Sequence, residues 1–111
     1  MLVTLHEALK DAQTKKYAVG LFNTVNLEMA KGVLAAAEEA RSPVIIGTAE
    51  VLLPAASLQE LAPMLRDMAQ RASVPVVLHF DHGLTEAKVM EAIDLGFTSV
   101  MYDCSTMSEE K

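Results

Sequence analysis

The chain has 111 residues, 51% hydrophobic and 22% charged, which suits one small ordered domain and excludes both a disordered polymer and two complete domains. A formal charge of -6 argues against a grip on nucleic acid or an anionic membrane surface, since both need clustered Lys and Arg. The single cysteine, Cys104, has no partner for an internal disulfide; no run approaches the roughly 18–20 apolar residues of a membrane span, and Met1 to Thr4 lack the look of an export leader. The expected location is the cytoplasm.

Two textures alternate along the chain. Residues 5–14 place Leu5, Ala8, Leu9 and Ala12 on one helical face, and Thr4 with Glu7 forms a capping box that opens this helix. The apolar run 17–22 predicts a first strand. A second helix over 27–41 carries Met29, Ala30, Val33, Leu34, Ala37 and Ala40 along one stripe. Residues 44–47 predict a second strand. Ser57 and Glu60 repeat the capping box ahead of a helix over 58–71, whose apolar face holds Leu61, Leu65, Met68 and Ala69. A third strand follows at 74–78, then a helix over 85–95 stopped by Gly96, then a fourth strand at 98–102. Thr106 and Glu109 make one more capping box, which predicts the start of a further helix.

An order of helix, then four strands alternating with three helices, implies parallel strands joined by right-handed crossovers in one α/β unit over residues 1–111. Periodicity does not separate an open doubly wound sheet from a section of a barrel. Side chains alternate along a strand, so Tyr17, Val19, Leu21 and Asn23 share one face, as do Val77, His79 and Asp81, and Ser99, Met101 and Asp103. Asn23, Asp81 and Asp103 thus converge at the C-terminal strand ends, where parallel α/β folds bind their ligands. Each also has a local reading, as a turn or helix cap. His82, at the lip, has the chemistry of a Zn²⁺ ligand beside a carboxylate able to exchange protons with a substrate oxygen; a lone strand-end histidine is also commonly structural. His79 can orient Asp81 or the substrate, or fill a core. His6 reads as surface and Cys104 as packing or a soft ligand. Residues 47–50 offer backbone donors and a hydroxyl to a ligand, a weak signal. No phosphate loop of Walker type, G-x-G-x-x-G, C-x-x-C or H-E-x-x-H is present.

Tyr17 to Asn23, Ser42 to Ile46, His79-Phe80-Asp81-His82-Gly83 and Ser99-Val100-Met101-Tyr102-Asp103-Cys104-Ser105 resemble, in order and spacing, the N-terminal part of class II ketose-bisphosphate aldolases, a family that includes fructose- and tagatose-bisphosphate aldolases. The resemblance implies the N-terminal half of a TIM (β/α)8 barrel: four parallel strands with a preceding N-terminal helix. It implies reversible, Zn²⁺-dependent cleavage of a ketose bisphosphate to dihydroxyacetone phosphate and an aldehyde. By position, Asp81 resembles the catalytic proton carrier, His82 a zinc ligand, Asp103 an acidic residue that can bind a second or displaced metal, and Asn23 a substrate-binding strand-end residue. The family's other zinc histidines and most of its phosphate-holding loops belong to the second half of the barrel, so the chain is expected to be inactive alone. Its exposed strand edges invite self-association, and a non-catalytic self-associating half-barrel or an open-sheet small-ligand binder are the alternatives.

Overall fold

The computed structural model describes residues 1–110. Its elements are β1 (Leu2–Val3), α1 (Leu5–Lys15), β2 (Leu21–Asn23), α2 (Leu27–Ala40), β3 (Val44–Ala49), a short 3₁₀ turn (Glu50–Leu52), α3 (Leu58–Arg71), β4 (Val76–Gly83), α4 (Glu86–Asp94) and β5 (Ser99–Tyr102). All strand pairs are parallel. β2, β3, β4 and β5 lie side by side in chain order, while β1 pairs with the start of β4, on the edge that β5 takes further along.

That order separates the two architectures that periodicity left open. A doubly wound sheet reverses its strand order and has helices on both faces. Here the order never reverses, and α2, α3 and α4 all pack on one face. Ala30, Leu34 and Ala37, then Leu58, Leu61, Leu65 and Ala69, then Val89 and Ala92 bury themselves there against Val44, Ile46, Val76, Leu78 and Phe80. The opposite face carries only α1 near its base, where Ala8 meets Ile45 and Val77, with Val3, Leu5 and Val19 around them. The sheet is an arc of a (β/α) barrel, with helices outside and α1 plugging the bottom.

Two of the three predicted capping boxes form: the Thr4 and Ser57 side chains accept from the N–H groups of Glu7 and Glu60, whose carboxylates accept in return from the cap residues' backbone. Gly96 ends α4 at φ 97°, and its N–H donates to the Ile93 carbonyl at 3.0 Å. Gly96 also gives room to Arg66 of α3, whose Nε lies 2.6 Å from where a Cβ would sit.

Four expectations change. The first predicted strand shrinks to Leu21–Asn23, the residues in register with Ile45–Gly47 of β3; Gly20 just before it still accepts from Ile45 N–H at 2.9 Å. The third grows to Val76–Gly83, since β3 pairs with it as far as Asp81. There are five strands rather than four: Leu2–Val3, too short to show periodicity, is held by the Met1 carbonyl accepting from Val76 N–H and by the terminal ammonium donating to Ala72 and Val74 carbonyls. The capping box at 106–109 starts no helix among the described residues, which form turns there.

Candidate functional site

The parallel register aligns Asn23, Gly47, His79 and Ser99 as one row across the four strands, on the face opposite the three outer helices. Two residues further along, Ala49 faces Asp81. Gly47 is required in that row: a Cβ there would lie 1.8 Å from the His79 carbonyl oxygen.

Beyond Phe80 the ladder slips. Phe80 is opposite Val100 but Gly83 is opposite Tyr102, so β4 spends three steps where β5 spends two. His82 lies in this bulge at φ 44°, a left-handed conformation uncommon for a residue with a Cβ. The extra residue re-aims the strand end so that successive residues, Asp81 and His82, present side chains to each other instead of to opposite faces. His82 Nε2 lies 3.7 Å from Asp81 Oδ2. Gly83 closes the bulge; a Cβ on it would come within 2.6 Å of Val89 Cγ2. The Asp103 N–H then donates to the Gly83 carbonyl at 2.8 Å and restores the pairing.

Two runs of hydrogen bonds meet at the Asp81–His82 pair, which is itself 3.7 Å apart. Ser99 Oγ is 2.7 Å from His79 Nδ1, and His79 Nε2 is 3.1 Å from Asp81 Oδ1. On the other side of Asp81, His82 Nδ1 is 2.8 Å from Asp103 Oδ2, and Asp103 Oδ1 accepts from Ser105 N–H at 2.9 Å. The Ser105 hydroxyl, then the His82 ring and the Ser105 N–H, lower the Asp103 pKa to about 2. The same contact with Asp103, followed by the charge of Asp81, raises His82 above its ordinary value. The His82 side chain is 54% exposed, while Asp103 is 14% exposed, so the imidazole is held from behind and open in front.

A carboxylate from the 3₁₀ turn that follows β3 fixes the loop after the bulge. Glu50 Oε1 accepts from Leu84 N–H at 3.1 Å, Thr85 N–H at 3.1 Å and the Thr85 hydroxyl at 3.0 Å. It thereby also sits at the N-terminus of α4, where the helix dipole favours negative charge.

The structure therefore brings together Asp81, His82 and Asp103, and adds His79. Asn23 lies on the same face two strands away from His79, about 10 Å at ordinary strand spacing, and takes part in neither run of hydrogen bonds. Cys104 and His6 are exposed. Thr48, from the weak 47–50 signal, points the other way into the helix-covered core and is 1% exposed. Sequence reasoning missed Glu50 as the clamp on the 84–85 loop and Ser99 as the partner of His79. Alternation put Ser99 on the correct face, but only the register reveals what it faces.

A family model described as fructose-bisphosphate aldolase class-II matches residues 3–111. The chain belongs to that family. A fructose-bisphosphate aldolase of Thermus caldophilus is 45% identical over 105 residues, which are 95% of this chain and 34% of that protein. A 6-phospho-5-dehydro-2-deoxy-D-gluconate aldolase of Halalkalibacterium halodurans is 43% identical over 94% of this chain and 37% of its own length. Among solved structures, the YdjI aldolase of Escherichia coli K12 superimposes with a TM-score of 0.93 at 40% identity, covering 99% of this chain and 43% of that one. The aldolase-family chain thus spans about a third of the length of these curated relatives, consistent with an N-terminal portion of the barrel. Among the described residues no group of three or more His, Cys, Asp or Glu side chains is arranged to hold a metal ion, and no helix is long and apolar enough to cross a membrane.

Proposed function

We propose that this chain supplies the first four barrel strands, and one share of the active site, of a class II aldolase acting on a ketose bisphosphate. The reaction is reversible cleavage to dihydroxyacetone phosphate and an aldehyde. The observation that supports this most is the bulge at the end of β4, which turns Asp81 and His82 toward each other on the open face at the C-terminal strand ends.

His82 fits one position of a Zn²⁺ shell: Asp103 occupies Nδ1 and leaves Nε2 for a metal, the arrangement in which a carboxylate orients a ligating imidazole. A catalytic zinc takes three protein ligands, so the site needs two more from beyond these residues. When bound, Zn²⁺ supplies Lewis-acid polarisation of a substrate carbonyl. Asp81 takes the proton of the substrate hydroxyl as the carbon–carbon bond breaks, and returns it in the condensation direction. Asp103 holds the His82 ring and is the acidic residue available to a second or displaced metal. Asn23 lines the same face and offers its amide to the sugar. The formal charge of -6 argues against nucleic acid or an anionic membrane as partner, and a free cysteine fits the cytoplasm.

A second reading, self-association, draws on the two flanks of the arc. Leu21 and Phe22 of β2, with Leu27 and Met29 of α2, are exposed on one side; Met90 and Ile93 of α4, with Met101 and Tyr102 of β5, on the other. Unpaired strand edges beside apolar side chains are places where further barrel strands, or a second copy, pair. The chain alone, given Zn²⁺ and fructose 1,6-bisphosphate, is expected to release no triose phosphate.

The deciding experiment replaces the corresponding first third of the Thermus caldophilus aldolase with this chain. The chimera should cleave fructose 1,6-bisphosphate, and Asp81→Ala in it should lower kcat by about 10²–10⁴. An Asp81→Ala chimera as fast as its parent would sink the assignment.

A further inference from the structure

We infer that His79 is a positioning residue for Asp81, held in a single tautomer by Ser99; the inference rests on the reading of Asp81 as the proton carrier. His79 is 8% exposed and directly opposite Ser99 in the β4–β5 ladder, while Asp81 is two residues further on the same face of β4. The backbone alone therefore brings Ser99, His79 and Asp81 into line. The distances close that line: 2.7 Å from Ser99 Oγ to Nδ1, and 3.1 Å from Nε2 to Asp81 Oδ1.

The directions of these bonds follow from what each group can do. An ionised carboxylate only accepts, so Nε2 carries the hydrogen. A neutral ring then has Nδ1 as an acceptor, and the Ser99 hydroxyl donates to it. Ser99 thus selects the tautomer, and the tautomer presents a donor to one carboxylate oxygen of Asp81. This support matters because Asp81 lies where the ladder breaks. β5 offers no in-register partner between Val100 and Tyr102, and the neighbour in sequence, His82, is strained and half exposed. With Oδ1 held by His79, the side chain has one rotamer, and Oδ2 is the oxygen turned toward the His82 side where substrate would lie.

The test uses this chain, labelled with ¹⁵N and ¹³C, without metal. Long-range ¹⁵N–¹H correlation should give His79 one pyrrole-type nitrogen, Nε2, and one pyridine-type nitrogen, Nδ1. Three-bond couplings should give Asp81 a single χ1 rotamer. Ser99→Ala should leave the amide spectrum dispersed while the His79 tautomers begin to average. His79→Leu fills the same space without a donor, so Asp81 should become rotamerically averaged; His79→Gln, whose amide N–H falls near the Nε2 position, should restore the single rotamer. A wild-type His79 that is averaged, doubly protonated at neutral pH or protonated on Nδ1 overturns the inference, as does an Asp81 rotamer still fixed in His79→Leu. These readouts do not depend on turnover, so loss of the aldolase reading, seen as an active Asp81→Ala chimera, is a separate result.

Discussion

Gly47→Ala offers the sharpest test of how the sheet is assembled beneath the site. The added Cβ would lie 1.8 Å from the His79 carbonyl oxygen and 2.8 Å from its carbon. Restoring even a tight contact of 3.0 Å requires the two strands to part by about 1.2 Å, and the obstacle is backbone in a paired ladder rather than a side chain able to rotate. Overpacking a core costs about 1–3 kcal/mol, and two weakened ladder hydrogen bonds add about 1 kcal/mol each. The expected loss is about 3–5 kcal/mol, a large part of the roughly 5–15 kcal/mol that stabilises a domain. At about 4 °C per kcal/mol for a domain near this size, the melting midpoint should fall by about 12–20 °C. Gly32→Ala is the internal control: it lies within α2 with nothing inside 4 Å of its Cβ, so the same substitution should stabilise by about 0.5–1 kcal/mol through helix propensity. Thermal and urea melts followed by circular dichroism read both. A Gly47→Ala protein melting within a degree of wild type would refute the close β3–β4 approach at this row.

Glu50→Ala removes three acceptor contacts to residues 84 and 85 and should destabilise by about 2–3 kcal/mol, with faster amide exchange at Leu84 and Thr85; unchanged exchange there would mean that the clamp does not hold the loop. The His82–Asp103 pair gives a pH window. Asp103, lowered to about 2, contributes stability that is present above its unfolded value and lost as pH falls through about 2, whereas His82, raised above 6.5, contributes below 6.5 and loses its contribution as pH rises through its folded value. Asp103→Asn should move the His82 midpoint down in a metal-free NMR titration, and an unmoved midpoint would contradict the hydrogen bond.

The helices were legible because their information is local. Capping boxes at Thr4 and Ser57, apolar stripes, and Gly96 as a stop each act within a turn or two, and α3 keeps its predicted bounds Leu58–Arg71. Alternation likewise put His79 and Asp81 on one face and Ser99 on the matching face of its own strand. What it could not supply was pairing. β1 exists because Val76 and the end of α3 capture the first residues from more than seventy positions away, and β2 is shortened by what β3 offers it. The bulge was illegible for a sharper reason. An inserted residue leaves no mark on composition, and the left-handed position is filled by His82 rather than by the glycine that would have advertised it. Gly83, one residue later, was the only nearby cue, and it answers to the Val89 contact instead.

That choice of residue at position 82 makes a last prediction. Lys16 and Arg41 also have positive φ, at 59° and 52°, but each caps a helix and needs nothing from its side chain that glycine would lack. A residue with a Cβ held there loses about 1–2 kcal/mol relative to glycine, and the greater freedom of glycine in the unfolded chain returns about 0.4–1 kcal/mol of that. Arg41→Gly and Lys16→Gly should each therefore stabilise by roughly 0.5–1 kcal/mol. His82→Gly relieves the same backbone strain while deleting the imidazole and its bond to Asp103. If the strain at the bulge is retained for the sake of the ring, His82→Gly should melt no lower than wild type at a pH above the His82 midpoint, where the charged pair with Asp103 no longer contributes, and should abolish the metal affinity of the active chimera. A His82→Gly protein that melts well below wild type at that pH while the two cap variants melt above it would show that the imidazole is there for structure. In that case the β4 bulge would have to be explained by folding alone, without reference to zinc.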